Sequence, residues 1–441
     1  MGENYINFGG LVSFAVIGFL VFKVKKNYLF LPIILTALYV ATGQKIVIGG
    51  FNFYFIRIIL LLCWIRILLL REYEVPKINN IDKYFMFWVI SSVVINIILW
   101  QDFISLKQKF GFLYDAILLY GLYRISITSF SDIELIINSL ALIIVPLAIL
   151  MLYESKTGYN VFSYFGGVSE LSEIRQGRVR AAGSFKHSIL AGTFGATTLP
   201  LFVAFYASKT ENRIKSIIGI LSCLVIIVTS ASSGPLMAFF MSLVAFSFWF
   251  LRDRMREVRW VIFFSLVLSH TIMNAPVWYL IARVGDFAGG GGWHRSYLMN
   301  QAIVHISEWW LIGTKSTQHW LPYPLAIKPN SADITNQYLA VGVDGGILPM
   351  FLFIFIIIKC FQGLGNAQEL DLSEPIWNRF CLWCIGVALF THVVAFFSIS
   401  YFDQIIAFWY ILIAIISAIV NIHDSVNKEE YIWNIKKNYA Q

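Results

Sequence analysis

Charge is what this sequence has least of. Only 13% of its 441 residues are Asp, Glu, Lys or Arg, while 58% are hydrophobic; a soluble domain carries roughly 25% charged residues. That shortage excludes an ordinary soluble protein and leaves a polytopic membrane protein. Cysteine is also sparse. Cys63, Cys223, Cys360, Cys381 and Cys384 all lie in or beside apolar runs, so the polar loops hold no thiol and no disulfide framework. Cys381 and Cys384 have redox spacing, but inside an apolar helix with no adjoining strand pattern they read as packing residues. There is no P-loop, which argues against chemistry driven by a nucleotide held that way. The polar loops assigned below to the outer face lack the paired carboxylates that hard divalent cations require, so neither a metal nor a cofactor is expected. MGENYIN lacks a basic n-region and no small-residue cleavage site follows it, so the first apolar run is expected to remain in the chain. With no repeat of 20–50 residues and no low-complexity linker, residues 1–441 read as one membrane domain.

What is present is a succession of apolar runs from residue 8 to residue 421. Most approach the roughly 20 residues that cross a bilayer as a helix, whereas a closed barrel would alternate weakly over strands of about ten residues. The expected class is therefore all-α, with about 12–13 transmembrane helices. Candidate spans are 8–22, 28–44, 52–70, 84–100, 110–123, 133–153, 187–208, 216–232, 235–251, 260–281, 335–358, 380–400 and 405–421. Placing the turn Lys23–Lys26 in the cytoplasm puts about 19 basic residues inside and about 12 outside, as the positive-inside rule requires. The net charge of +8 is then a topology signal and an attraction to anionic membrane lipids, and no nucleic-acid partner is expected.

The exceptions to that rule are concentrated. Lys156, Arg175, Arg178, Arg180, Lys186, Arg283, Arg295, Lys315 and Lys328 fall in two long outer loops, 154–186 and 282–334. Basic side chains placed where topology disfavours them suit an anionic ligand. In the second loop, Tyr297–Trp310 reads as an amphipathic helix ending in an interfacial aromatic pair. The glycine run Gly289–Gly292 before it is either a hinge for Arg295 or a loose surface loop.

Three stretches in order resemble the O-antigen ligase and O-antigen polymerase superfamily of bacterial envelope glycosyltransferases. The first is Arg180, Gly183, Phe185 and His187 ahead of a membrane helix. The second runs from Arg295, opening an amphipathic helix, to Gly313. The third is Asn336, Tyr338 and Leu339 with Gly345 and Gly346 following. The resemblance implies a GT-C-like helical fold in the bacterial inner membrane, with short helices in a large periplasmic loop. It also implies a metal-independent transfer of glycan from an undecaprenyl-diphosphate donor. The expected product is polymerised O-antigen or a related surface polysaccharide; ligation onto a lipid A-core or other glycan acceptor is the close alternative. A flippase or transporter is the alternative from another class, but it would line many spans with polar residues. Two departures count against the ligase: Ser232, Ser233 and Gly234 stand where many relatives have Ser-Arg-Gly, and Thr335 stands where ligases have a histidine.

A diphosphate leaving group gathers negative charge, and guanidinium forks meet it with paired, charge-assisted hydrogen bonds. Arg180 and Arg295 are the first choices for that clamp, with Arg178, Arg175, Arg283 and His187 behind them. The bland alternative is pairing with phospholipid head groups or with Glu170, Glu173 and Asp286. Asp333, His294, His305 and His319 are the candidate general bases, although Asp333 also suits an N-cap near Thr335. His270 and His392 lie mid-span and read as packing. Arg57 and Arg66, nine residues apart on one helix, should serve different partners, with Asp115 the nearest candidate for one of them.

Overall fold

The computed structural model describes residues 6–208, 213–281, 292–321, 326–328, 331–368 and 378–439, with side chains described up to residue 426 except within 326–331. The chain is 76% helical. In order the helices are α1 (Phe8–Lys23), α2 (Phe30–Tyr39), α3 (Phe55–Leu70), α4 (Asn80–Trp100), α5 (Phe103–Ser126), α6 (Phe130–Thr157), α7 (Ser188–Ala207), α8 (Arg213–Thr229), α9 (Ser233–Ser247), α10 (Met255–Ile272), α11 (Gly292–Val304), α12 (Ile306–Trp309), α13 (Gln337–Gly345), α14 (Ile347–Ala367), α15 (Arg379–Ala395) and α16 (Ile405–Tyr439). Three two-stranded antiparallel hairpins interrupt them: β1 (Lys45–Ile48) with β2 (Phe51–Tyr54), β3 (Glu173–Arg175) with β4 (Arg178–Arg180), and β5 (Ala326–Lys328) with β6 (Ser331–Ala332).

Local chemistry sets the helix starts. Asn79 with Asp82, and Ser129 with Asp132, form capping boxes that satisfy the free amides opening α4 and α6. Asp102, Asn336 and Asn378 cap α5, α13 and α15 through single side chains. Asp333 is therefore not the cap that its position suggested.

Six helical stretches among the described residues are long and apolar enough to cross a membrane: Asn80–Trp100, Phe130–Thr157, Ser188–Ala207, Ser233–Ile272, Ile347–Ala367 and Ile405–Val426. Phe8–Lys23 and Arg379–Ala395 are apolar but shorter. The structure thus supports an all-α, multi-pass membrane protein with fewer full-length spans than the apolar runs predicted. The run at 28–44 yields only the ten residues of α2. The run at 335–358 is broken at Gly346, whose φ of 81° ends α13 before α14 begins.

The stretch Ser233–Ile272 is not a straight rod. Forty helical residues would extend roughly 60 Å. Yet Ser296 Oγ donates to the Trp278 carbonyl, and its neighbour Arg295 reaches Gly234 at the start of α9. Six residues past α10 the chain is back at the end where α9 began, so the 3-10 turn Phe248–Arg254 must reverse it. α10 itself buries no residue.

At the centre stand α7 and the α16 span, with 89% and 78% of their apolar windows buried. Small residues let α7 and its neighbours approach. A Cβ on Gly192 would lie 2.4 Å from Ser230 Oγ, and one on Gly219 would lie 2.7 Å from the Phe202 ring. Three arginines on α3 and α5 are paired. Arg57 forks onto Asp115 at 2.8 and 2.6 Å, and Arg66 bonds Glu72 at 3.0 and 3.2 Å, so the two arginines do serve different partners. Arg124 bonds Asp82 at 2.8 and 3.1 Å.

Candidate functional site

Loop 154–186 is fastened to the ends of several helices. The Glu154 carboxylate, at the end of α6, accepts from the amides of Ala182 and Gly183 and from Ser172 Oγ, all at 2.8–2.9 Å. The Ala181 amide bonds the last carbonyl of α8, Thr229. Asn160 and Gln404 donate to the carbonyls of Gly183 and Ser184, and Ser184 Oγ donates to Leu38. Gly183 has a φ of +60°, and a Cβ there would lie 2.9 Å from Leu147, so the small-Gly-x-Phe-x-His element folds here only with glycine.

This fixed turn sets the β3–β4 hairpin. Its two-residue loop, Gln176–Gly177, has φ values of 51° and 73°, the geometry of a type I′ turn. Glu173 pairs with Arg180 and Arg175 with Arg178 across the strands. Residues two apart share a face, so one face carries three arginines and one glutamate. Arg175 and Arg178 are exposed and directly opposite, an arrangement that repels unless an anion sits between.

Arg180 is buried, 7% exposed. Its Nη1 donates to Glu173 at 2.7 Å and its Nη2 to Ser232 Oγ at 3.0 Å. Its Nε is buried with no acceptor. Ser232 is the residue before α9, and its Oγ also lies 3.2 Å from that of Ser188 at the start of α7. Arg295 arrives from α11 at the same turn: its Nη2 lies 3.5 Å from the position a Cβ on Gly234 would take. It too is buried, at 8% exposed. Burial, helped by the Arg175 charge, lowers its pKa to about 10, and no carboxylate among the described residues offsets this. Arg180 and Arg295 therefore converge on the N-terminus of a helix, with Arg175 in electrostatic reach of Arg295, and free amides there already favour an anion.

The candidate bases divide. Asp333 and His294 belong to this group: the His294 ring bonds the Asp333 backbone. Burial raises the Asp333 carboxyl above its ordinary value, against the pull of His294 and His187. Burial and the neighbouring charge of Arg295 lower His294, with Asp333 opposing. Both groups shift towards neutrality, which makes Asp333 a better proton acceptor. His187 occupies the N-cap position of α7 but forms no capping bond. Its ring packs edge-on to Phe402 at 5.7 Å, and burial and Lys186 lower its pKa.

Asp403 also belongs here and was missed from sequence, being a lone carboxylate more than two hundred residues from Arg180. It has a φ of 55° and lies within electrostatic reach of Lys186 and His187. Its Oδ2 is buried without a partner, and burial raises its pKa. Glu154, which positions the whole turn, was also missed, although it opens loop 154–186.

His305 and His319 form a second cluster around Glu308. His305 Nδ1 lies 2.7 Å from Glu308 Oε1, and His319 Nε2 lies 2.9 Å from Oε2. Burial raises the Glu308 carboxyl, but hydrogen bonds from Trp320, His319 and His305 outweigh it and hold the pKa down to about 2. No hydrogen bond or ion pair joins this cluster to Arg180, Arg295 or Asp333 among the described residues. The expected amphipathic helix is broken between α11 and α12 at His305. Arg283 and Asp286, with Gly289–Gly291, lie outside the described residues.

The fold and site define a helical multi-pass membrane protein with a cluster of arginines, two of them buried, at one end of its bundle. Compared with known proteins, the chain matches no family model, no curated protein and no solved structure.

Proposed function

We propose that the chain is a bacterial inner-membrane glycosyltransferase that polymerises a lipid-linked surface polysaccharide on the periplasmic face. One observation carries the reading. Arg180 and Arg295, more than a hundred residues apart, bring buried guanidinium groups to one turn at Ser232–Gly234. Ser233 stands where relatives of the resembled superfamily place an arginine, and Arg295 brings its charge to that same turn. The diphosphate of an undecaprenyl donor is the kind of anion that several forks and a helix N-terminus can hold as it departs. Asp333 takes the acceptor hydroxyl proton, with His294 holding its backbone. The helix ends and turns facing away from this cluster carry Lys23, Lys25, Lys26, Arg71, Lys77 and Lys83, and the positive-inside rule then directs the cluster outward.

The full count of about 12–13 crossings belongs to this proposal as well, with α2, α3, α5 and α8 as short or charge-bearing crossings shielded by their neighbours. Polarity gathered at one end, with spans paired internally, favours an enzyme over a transporter. The test is purified protein in liposomes given a lipid-linked repeat unit without nucleotide. Chain extension that disappears in Arg180→Lys and Arg295→Lys is the expected result; movement of the carrier without bond formation would replace the enzyme with a transporter. A deletion strain separates the two transfer reactions: one repeat on core marks a lost polymerase, and long chains left on the carrier mark a lost ligase.

A further inference from the structure

Outside the arginine cluster, one group of side chains has the composition and spacing of a metal centre. His305, Glu308 and His319 each offer a ligand atom, and these atoms all lie within 4.8 Å of one another. Two ligands on one tetrahedral zinc ion, each about 2.0–2.1 Å from it, are roughly 3.3 Å apart. The 2.7–3.1 Å hydrogen bonds from the two rings to Glu308 are thus close to the spacing an ion would impose, and the rings need only give up a proton for a metal. Two imidazoles and one carboxylate are a borderline donor set that suits zinc-type ions and offers too few oxygens for calcium or magnesium.

The surroundings are those of a supported site. Trp320 is 1% exposed. Its Nε1 donates to Glu308 Oε2 at 3.1 Å, and its ring lies nearly parallel to His305, with centroids 5.6 Å apart. A carboxylate ligand oriented by an outer donor is the arrangement that second-shell residues provide in metalloproteins. Trp320 is buried in turn in a cluster with Ala302, Trp309 and Val343. The His319 side chain is 49% exposed, so an ion has a path in and a fourth position remains open.

We propose that His305, Glu308 and His319 bind one divalent transition-metal ion of the zinc type. The ion clips the end of α11, which carries Arg295, to the turn Gln318–Trp320, from which the chain continues to Asp333. The inference goes beyond the glycan-transfer reading and does not depend on it.

The test uses the full chain without a histidine tag, in nanodiscs, stripped with a chelator and titrated with Co2+ and then Zn2+. One saturable equivalent per chain is expected, with the visible absorption of tetrahedral Co2+ and its displacement by Zn2+. His305→Asn, His319→Asn and Glu308→Gln should each weaken binding at least tenfold. Trp320→Phe, which removes only the donor behind Glu308, should weaken it by about 10–100-fold. His319→Ala removes an exposed ring, and unchanged helical circular dichroism will show that it folds. Absence of saturable uptake at micromolar ion, or uptake that survives the His305→Asn/His319→Asn pair, overturns the proposal. Glycan transfer is measured separately on the same samples, so loss of transfer with retained uptake, or the reverse, tells the two readings apart.

Discussion

Arginines are buried at both ends of the bundle, and their neighbours are not alike. At one end Arg124 forks onto Asp82 and also bonds the Lys77 carbonyl. Asp82 further accepts from Tyr120, Ser417 and the Asn79 amide. At the other end Arg180 pairs with the exposed Glu173 but keeps a buried Nε without an acceptor, and Arg295 has no carboxylate partner among the described residues. A closed polar network ties helices together and leaves little for a ligand to gain. An open one leaves charge uncompensated, a cost that persists where a ligand is to supply the missing partner. Under the proposed function, the Asp82 end serves the fold and the Arg180 end meets the ligand.

The largest expected effect tests chemistry at the open end. Asp333→Asn should cut transfer by about 10²–10⁴-fold, the usual contribution of a general base, and leave the unfolding midpoint unchanged. The wild-type pH profile carries a second sign. Burial raises the Asp333 pKa above its ordinary 3.8, so the base is active when deprotonated and activity falls as pH drops through that raised value. The acid limb should vanish in Asp333→Asn. A limb that persists assigns it to another carboxylate, with Asp403 next in line.

Breaking the closed end should do the opposite. Arg124→Ala leaves Asp82 buried with its ion-pair partner gone, at a cost of about 3–5 kcal/mol, read as a lowered unfolding midpoint in detergent. Activity per folded molecule should hold. Activity lost without any loss of stability would erase the distinction between the two ends.

Arg295→Met sharpens the comparison further. Losing one donor to a developing anion costs roughly 2.7–4 kcal/mol of transition-state stabilisation, or about 10²–10³-fold in rate. Met also removes a buried charge that no carboxylate offsets, so the midpoint should stay level or rise. A clear fall in the midpoint would show that Arg295 is structural after all.

These contrasts were only partly legible beforehand. Membrane class, most helix positions and the two arginine segments follow from composition and apolar runs, because lipid imposes length and polarity on each span separately. His187, His294 and Asp333 could be nominated from their place beside those segments. The grouping of His305 and His319 on Glu308 was harder to see. His305 and Glu308 have a one-turn spacing, but His319 joins them only once the loop docks on the Gly345–Gly346 break. Asp403 and Glu154 carry no local signal at all, since a single carboxylate at a helix end gains meaning only from what packs against it. The length of a crossing was misjudged where a left-handed glycine interrupts an apolar run, as at Gly346, whereas the break between 251 and 260 was marked by its charged residues.

The smallest expected effect separates the hairpin arginines from the buried pair. Gly177 sits at a φ of +73°, and a Cβ added there would meet nothing within 4 Å, so Gly177→Ala brings no clash and its cost is backbone strain alone. That strain is about 1–2 kcal/mol, offset by roughly 0.4–1 kcal/mol because alanine restricts the unfolded chain. The hairpin should loosen while Arg180, fastened independently through Ser232 and the adjoining Ala181 amide, stays in place. Transfer should therefore fall by less than about tenfold, a step of 1.4 kcal/mol, and Gly177→Asn, which tolerates the left-handed region, should recover most of it. A loss as deep as that of Arg295→Met would mean that Arg175 and Arg178 hold the anion themselves, and the contact would then lie on the exposed face of the hairpin instead of at the helix turn beneath it.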